Sequence, residues 1–311
     1  MLISEFPYRN NFKFHKSPRE ARGGVIFKKP RNKSHRSAEN QRGGSTSLST
    51  TKHLFSTEDD MKLPPRLRTI VRFALRQVFP ARCVSCDDYL TEDQLACGRC
   101  AHAVFPIEGP KCLVCGAPRL QVEGTYSGVD EICGRCLARR PRFETARARW
   151  EYAGVIAEAL QRAKYQGHLW MLRSLARAWR PWIDERIARA SDEVDSVITA
   201  VPMHAADLRA RGFNPAHLLA RLALPHRHVA SDLVRKTVRT RAQAALSRDE
   251  RLTNLRGAFE CTNSERVEGN KVVLIDDVMT TGATADEVAR VLRGAGAREV
   301  VVLTAARTLP S

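Results

Sequence analysis

The chain has 311 residues, of which 43% are hydrophobic, and it carries a formal net charge of +17. This length allows roughly two domains of about 150 residues each. No run of residues reaches the ~18–20 apolar positions that a membrane helix needs, and the N-terminus lacks the apolar segment of a signal peptide. We therefore expect a cytoplasmic protein without a transmembrane segment, whose basic surface suits polyanionic partners.

Residues 1–60 differ in composition from the rest of the chain. They contain twelve Lys/Arg against six Asp/Glu, two Gly-Gly pairs and a Ser/Thr run at 45–51. No apolar periodicity is present, so we expect a disordered basic tail. Two interpretations stay open. The tail is either an arm for nucleic acid or the product of a start site placed too early, with Met61 as the true first residue.

Residues 61–80 contain an amphipathic helix by pattern. Its apolar positions fall on one face of a helix over 66–79: Leu67, Ile70, Val71, Ala74, Leu75 and Val78. Packing against the following domain is the plainer role. A basic amphipathic surface for a partner protein, nucleic acid or a membrane face is the alternative.

Residues 81–140 hold eight of the nine cysteines, arranged as four Cys-x-x-Cys pairs. The pairs are Cys83/Cys86, Cys97/Cys100, Cys112/Cys115 and Cys133/Cys136. Two such pairs complete a tetrahedral site of four thiolates, so the count predicts two structural zinc ions in a double zinc ribbon. A reducing compartment argues against disulfides, and four tandem copies are more typical of zinc ribbons than of a redox Cys-x-x-Cys motif. An iron–sulfur cluster is the main remaining alternative. We favour sequential pairing of the motifs, although the spacing does not exclude an interleaved arrangement.

Residues 145–311 form the second domain, for which we expect an α/β fold. A strand at 195–201 ends at Val201-Pro202, and the following loop brings Arg209 and Arg211. Ligands of open α/β sheets bind beyond the carboxyl ends of the strands, where two bidentate guanidinium groups suit a pyrophosphate. The alternative is that both arginines cap or solvate the next helix. A basic stretch at 235–241 predicts either a mobile loop that closes over the ligand or an ordinary solvated loop.

The most informative stretch is residues 272–284, VVLIDDVMTTGAT. Four β-forming residues predict a short strand that is buried on both faces. Two carboxylates, Asp276 and Asp277, follow this strand. A loop of hydroxyls and glycine comes next, with Thr280, Thr281, Gly282 and Thr284. A helix from Ala285 to Arg293, ended by Gly294, completes the unit.

This order of elements favours a phosphorylated sugar as the ligand. Loop N–H groups and the positive end of a helix dipole bind a phosphate. Two adjacent carboxylates suit the vicinal hydroxyls of a ribose, because each hydroxyl donates one hydrogen bond. The alternative is an ordinary βα unit that happens to be rich in Asp and Thr.

The thirteen residues resemble the phosphoribosyl diphosphate (PRPP) motif of the type I phosphoribosyltransferases. By this resemblance Asp276 and Asp277 hold the ribose 2′- and 3′-hydroxyls. The 5′-phosphate is held by Thr280, Thr281, Gly282 and Thr284. The resemblance implies a Rossmann-like, mostly parallel sheet.

The combination of a double zinc ribbon with this motif resembles the ComF/GntX family over about 66–308. The segments that carry the resemblance are Glu151-Tyr152, Lys164 to Gly167, Val201 to His204, Arg211 to Asn214, Arg239-Thr240 with Gln243, Leu246, Arg251, Asn254 and Phe259, and Ala306 to Thr308. One departure is Pro215, where a glutamine is expected. Members of this family are associated with natural transformation and with the passage of single-stranded DNA into the cytoplasm.

The chemistry that the resemblance implies is glycosyl transfer from PRPP, with Mg²⁺ bridging the pyrophosphate and the ribose oxygens. Lys164 is a candidate phosphate contact, or else a surface lysine. No segment identifies the acceptor. Three hypotheses therefore remain: a phosphoribosyltransferase with an unidentified acceptor, a single-stranded DNA-handling protein that keeps the fold, and a PRPP-sensing regulator. The expected partners are PRPP or a related phosphorylated ribose, with single-stranded DNA and competence proteins as those that the resemblance implies.

Overall fold

The computed structural model describes residues 82–90, 94–119, 130–190, 196–239 and 255–309. The predicted tail at 1–60 and the predicted helix at 61–80 lie outside the described residues, as does the stretch 240–254. Within the described part of the chain, no helix is long and apolar enough to cross a membrane.

A parallel sheet forms the centre of the α/β domain, as the sequence predicts. The strands in chain order are β1 (Thr145–Glu151), β2 (Ser196–Ala200), β3 (Val229–Ala230), β4 (Val234–Lys236), β5 (Phe259–Cys261), β6 (Lys271–Met279) and β7 (Glu299–Arg307). Five of them form one sheet in the order β1-β7-β6-β2-β3, with every neighbouring pair parallel. The strands β4 and β5 form a separate antiparallel pair.

The middle strand β6 is apolar on both faces because both faces of the sheet are covered. Val273 and Ile275 belong to the core on one face, whereas Val272 and Leu274 belong to the core on the other. All four are fully buried. The unbroken apolar run in the sequence therefore indicates a central strand that is buried on both faces, rather than an amphipathic strand with one face in solvent.

Helices flank the sheet on its two faces. In chain order they are α1 (Gly134–Ala138), α2 (Gly154–Gln166), α3 (Leu169–Ala190), α4 (Ala205–Arg211), α5 (Pro215–Ala223) and α6 (Ala283–Gly294). The first core joins α2, α3 and α5 to the sheet, and the second joins α6, the β4–β5 pair and the later cysteines to it. Pro215 fits the first position of α5, where its missing N–H is not needed, and the Asn214 side chain caps this helix.

Three sequence expectations are corrected. Strand β6 continues through both carboxylates to Met279, because its pairing with β7 extends from Lys271 to Met279. Helix α6 begins at Ala283 and includes Gly294. The expected loop at 235–241 begins as the strand β4, since Val234 to Lys236 pair with Phe259 to Cys261.

The cysteine segment packs onto the edge strand β1. The link between its two halves pairs with this strand, since Ile107 N–H donates to Arg149 O (2.9 Å) and Glu151 N–H donates to Phe105 O (2.8 Å). The second half adds a hydrogen bond from Ala146 N–H to Val114 O (2.7 Å). These bonds satisfy backbone groups of β1 that an edge strand leaves exposed.

Candidate functional site

A cleft of about 860 Å³ lies at the carboxyl ends of β2 and β6. The segment after β2 lines one side of it, from Val201 to His204 and onward to Arg211. The residues from Asp276 to Thr280 and from Gly282 to Ala285 line the other side, together with Lys164. The two loops that the sequence predicts to meet beyond the strands therefore border the same cleft.

The two carboxylates are fixed by their own backbone. Asp277 N–H donates to Asp276 Oδ1 (2.9 Å), and Val278 N–H donates to Asp277 Oδ1 (2.8 Å). Asp277 is 8% exposed, so its carboxylate sits deep in the cleft wall. Each side chain keeps a second oxygen with which to meet a ligand or a neighbour.

Lys164 is the partner of this acid pair. It lies in the last turn of α2, and its Nζ is 2.5 Å from Asp277 Oδ2. Burial would lower the pKa of Lys164, but the charge of Asp277 and its hydrogen bond, with the charge of Asp276, outweigh burial and raise that pKa. The lysine therefore stays protonated and balances part of the charge of the two carboxylates.

Burial raises the pKa of Asp276 well above its usual range, and the adjacent charge of Asp277 adds to this rise. The charge of Lys164 and the Asp277 N–H act in the opposite direction without reversing the rise. Two adjacent carboxylates repel each other when both are ionised, and a pKa raised in this way is typical of residues at functional sites. The pair is therefore a buried, electrostatically perturbed group rather than a surface acid patch.

The hydroxyl loop leads from β6 into α6. Thr280, Gly282 and Thr284 line the cleft, and Gly282 is the N-cap of α6 with a φ of 83°. A left-handed φ suits glycine, and it turns the chain so that the first N–H groups of α6 come next to the cleft. Thr281 differs from the others, because its Oγ1 accepts from Ala283 N–H (3.3 Å) and it lines a smaller cavity on the side of the cysteines.

The two predicted arginines are in different places. Arg211 lines the cleft, with its guanidinium carbon 5.3 Å from the centre of the Tyr165 ring. Arg209 is exposed and is not among the described residues that line the cleft. Both belong to α4, and residues two apart on a helix face different directions. A pyrophosphate role for either arginine stays a prediction.

Further polar residues line the cleft, and two of them, Lys236 and Arg239, belong to the basic stretch at 235–241. Arg239 Nε donates to Asp207 Oδ1 (2.9 Å), and both side chains face the cleft. Lys236 lines it from β4. Asn214 donates through Nδ2 to Val201 O (2.9 Å) and so holds the loop after β2 to α5. The sequence analysis assigned no role to Asp207 or to Asn214, and the available signal was their position in the segment that follows a strand.

The eight cysteines form two clusters that could each hold a metal ion. The first contains Cys83, Cys86, Cys97 and Cys100, and the second contains Cys112, Cys115, Cys133 and Cys136. Within each cluster the sulfur atoms lie within 4.8 Å of one another. The sequential pairing is confirmed, and four thiolates in this arrangement suit structural zinc.

Hydrogen bonds prepare the second cluster for a cation. The N–H groups of Cys115 and Cys133 point to Cys112 Sγ (3.4 and 3.3 Å). Burial would raise the pKa of Cys112, but backbone hydrogen bonds from Cys133 and Cys115 outweigh it and lower the pKa to about 6. A thiolate is the form that binds zinc, so these hydrogen bonds suit Cys112 to the role of a zinc ligand.

The described residues therefore define a double zinc ribbon joined to a phosphoribosyltransferase-like α/β domain. A model of the double zinc ribbon domain matches residues 74–137, and a model of the phosphoribosyl transferase domain matches residues 209–308. This pair of domains is consistent with the ComF family.

Curated relatives agree with this assignment. Competence protein F of Haemophilus influenzae is 28% identical over 237 residues, which cover 74% of this chain and 98% of the relative. Competence protein ComFC of Bacillus subtilis is 28% identical over 65% of this chain and 80% of its own length. The DNA utilization protein YhgH of Escherichia coli is 29% identical over 68% of this chain and 90% of its own length.

Proposed function

We propose that this chain binds PRPP in the cleft at the carboxyl ends of β2 and β6. In this proposal the ribose hydroxyls meet Asp276 and Asp277, and the 5′-phosphate meets the N–H groups and hydroxyls of the loop at 280–284. Arg211 and Lys236 also line the cleft, where positive charge suits a pyrophosphate. Arg209 is the weaker candidate for that role, because it is exposed.

The observation that carries the proposal is the charged group at the base of the cleft. The like charges of Asp276 and Asp277 lie on adjacent residues, and the opposite charge of Lys164 contacts Asp277. Burial keeps these groups largely away from water. An ion pair that only stabilises the fold requires one carboxylate and one lysine. It does not require a second, adjacent carboxylate whose pKa is raised. A sugar with two vicinal hydroxyls would give each carboxylate a donor.

Mg²⁺ belongs to the proposal because the ligand is a diphosphate. A hard cation of this size is commonly held by one or two carboxylates plus phosphate oxygens, and the acid pair offers such oxygens. When bound, the ion would neutralise charge on the pyrophosphate leaving group. The two zinc sites have all four positions filled by cysteine, so we assign them structural roles alone.

Phosphoribosyl transfer is the reaction that such a cleft would perform. The bond between ribose C1 and the pyrophosphate oxygen breaks, and its electron pair leaves with the pyrophosphate. A nucleophilic atom of the acceptor forms the new bond to C1 and gives up its proton to solvent or to a neighbouring base. The chain's own contribution is to hold the sugar, the phosphate and the leaving group in position.

A link to DNA uptake is the wider context that we propose. It rests on the relatives named for competence and for DNA utilization and on the net charge of +17. The cytoplasm is the compartment that fits, since two sets of four free cysteines need reducing conditions. A single-stranded DNA-handling protein or a PRPP-sensing regulator is the second candidate function, because no lining residue identifies an acceptor.

Isothermal titration of the zinc-loaded chain with PRPP and Mg²⁺ tests the binding step. We expect micromolar binding by the wild type and none by the Asp276→Ala/Asp277→Ala variant. Pyrophosphate release with candidate acceptors then separates an enzyme from a sensor. Salt-dependent binding of single-stranded DNA separates the DNA-handling function from both. A folded wild type that does not bind PRPP would refute the proposal.

A further inference from the structure

Arg307 is a buried arginine that the proposed ligand site does not use. It is the last residue of β7 and is 2% exposed. Its Nη1 donates to the carbonyl oxygen of Cys115, while its Nε has no hydrogen-bond partner among the described residues. A guanidinium charge at this depth is unfavourable unless an opposite charge lies nearby.

The second cysteine cluster supplies that opposite charge. Cys115 is one of its four ligand residues, and a Zn²⁺ ion held by four thiolates carries a formal charge of about −2. The arginine therefore places a positive charge beside an anionic metal site, inside a protein interior where charge interactions are stronger than in water. Arg307 is therefore suited to compensate part of the negative charge of this site.

A second arginine holds the same turn from the neighbouring strand. Arg147 of β1 donates through Nη1 to Leu113 O (3.0 Å) and to Cys112 O (3.4 Å). The carbonyl groups of the turn from Cys112 to Cys115 are thus bonded from both β1 and β7. Arg147 is more exposed than Arg307, so the burial argument applies to Arg307.

Arg307 also adjoins the hydroxyl loop. It is paired in register with Met279, and Thr308 N–H donates to Met279 O (3.0 Å). Met279 immediately precedes the loop and is 3% exposed. A small cavity of about 30 Å³ separates the loop from the second ribbon, and Met279, Gly282 and Arg307 line it together with Cys115 and Cys136.

We propose that Arg307 is a positioning residue that connects the second zinc ribbon to the hydroxyl loop. Its charge stabilises the metal-loaded cluster, and its strand partner Met279 makes the backbone of residues 280–284 depend on that cluster. This connection concerns loop geometry and holds whichever ligand the loop binds. Its failure is therefore distinguishable from a failure of the proposed PRPP function.

The first test measures metal retention one site at a time. The full zinc-loaded chain is titrated with a chelator, its free thiols are alkylated, and the modified cysteines are mapped by peptide mass spectrometry. In Arg307→Met we expect the second cluster to lose protection at a chelator concentration about 10–100-fold lower than in the wild type. The four cysteines of the first cluster are the internal control. Arg298→Met, at an exposed position just before β7, should behave as the wild type.

The second test measures the loop by hydrogen exchange, without any ligand. We expect Arg307→Met to increase the exchange rate of amides at 280–284 about tenfold, and Arg307→Lys to restore part of the metal retention because it keeps the charge. Equal loss of protection at both clusters, no loss at either, or unchanged loop exchange would overturn the proposal. Should Arg307→Met fail to fold, Arg307→Lys against the wild type carries the same comparison, with a smaller shift confined to the second cluster.

Discussion

The Nζ atom of Lys164 lies 2.5 Å from Oδ2 of Asp277, and this contact joins the last turn of α2 to the carboxyl end of β6. Both side chains are mostly buried, with exposed fractions of 16% and 11%. Removal of one partner leaves the other charge buried without compensation, which is far less favourable than the loss of an exposed pair.

Lys164→Met should therefore lower the free energy of unfolding by about 3 kcal/mol. Adding Asp277→Asn to it should restore much of that loss, giving a coupling energy of roughly 2 kcal/mol in a double-mutant cycle by urea denaturation. The pair Arg189–Glu185 on α3 has the same 2.5 Å separation but exposed fractions of 69% and 52%. It is the matched control and should show little coupling. Additive losses at Lys164 and Asp277 would contradict the contact.

Asp276→Asn should stabilise the protein while it weakens ligand binding. The raised pKa of Asp276 means that its ionised form is less favourable in the folded chain than in the unfolded one. That penalty begins as the pH rises above the ordinary aspartate value of about 3.9 and is complete above the raised folded pKa.

The melting temperature of Asp276→Asn should thus exceed that of the wild type by about 3 °C at neutral pH. The asparagine oxygen can still accept from Asp277 N–H, so the local backbone is kept. Thermal unfolding followed from neutral pH to pH 4 should show the difference shrinking as the carboxyl group becomes protonated in both states. A difference that is absent at neutral pH, or that does not change with pH, would argue against the raised pKa.

Gly116→Ala should weaken the docking of the second ribbon on β1. A Cβ at Gly116 would lie 2.2 Å from Ala146 O, a backbone atom of that strand. Gly109 has nearly the same φ, +69° against +67°, but a Cβ added there would have no heavy atom within 4 Å among the described residues. Gly109→Ala therefore isolates the backbone strain, about 1 kcal/mol, from the steric clash.

We expect urea denaturation to give a loss of about 1 kcal/mol for Gly109→Ala and a further 1–3 kcal/mol or so for Gly116→Ala. Equal losses at the two glycines would mean that the ribbon is not held against β1 as closely as the hydrogen bond from Ala146 N–H to Val114 O indicates.

The acid pair should distinguish ribose from 2-deoxyribose. Each hydroxyl that donates to a carboxylate contributes about 1.5–3 kcal/mol, so ribose 5-phosphate should bind the wild type at least about tenfold more tightly than 2-deoxyribose 5-phosphate. The contribution of the shared phosphate cancels in this comparison. In Asp276→Ala/Asp277→Ala the preference should disappear when measured by calorimetry. Equal affinity of the wild type for both sugars would mean that the pair does not bind the missing hydroxyl.

The sequence predicts those parts of the molecule whose structure depends on the order of neighbouring residues along the chain. The Cys-x-x-Cys spacing predicts both clusters, and the run from Val272 to Thr284 predicts a central strand, two acids and a helix that follows, although not the residue at which this helix begins. The mostly parallel sheet was expected from the resemblance of this run to the type I phosphoribosyltransferase motif. The end of β6 was not predicted, because this strand is extended by its pairing with β7, which is distant in sequence, and not by the pattern of its own residues.

Contacts between distant segments were not predictable in the same way. Lys164 could be a phosphate contact or a surface lysine from its sequence, and only the fold brings it to Asp277. Arg307 and Cys115 are separated by 192 positions, so no spacing rule relates them. The different directions of the Arg209 and Arg211 side chains could have been predicted, because side chains two residues apart on a helix point to different sides.

Hydrogen exchange in the presence of PRPP and Mg²⁺ tests the central claim most directly, because it shows where on the chain the ligand binds. The wild type should gain protection in two segments, 276–285 and 201–211, and none in the first ribbon at 82–90. The Asp276→Ala/Asp277→Ala variant should gain none in either segment. Absence of protection in the folded wild type, or protection confined to other parts of the chain, would contradict a ligand site between β2 and β6.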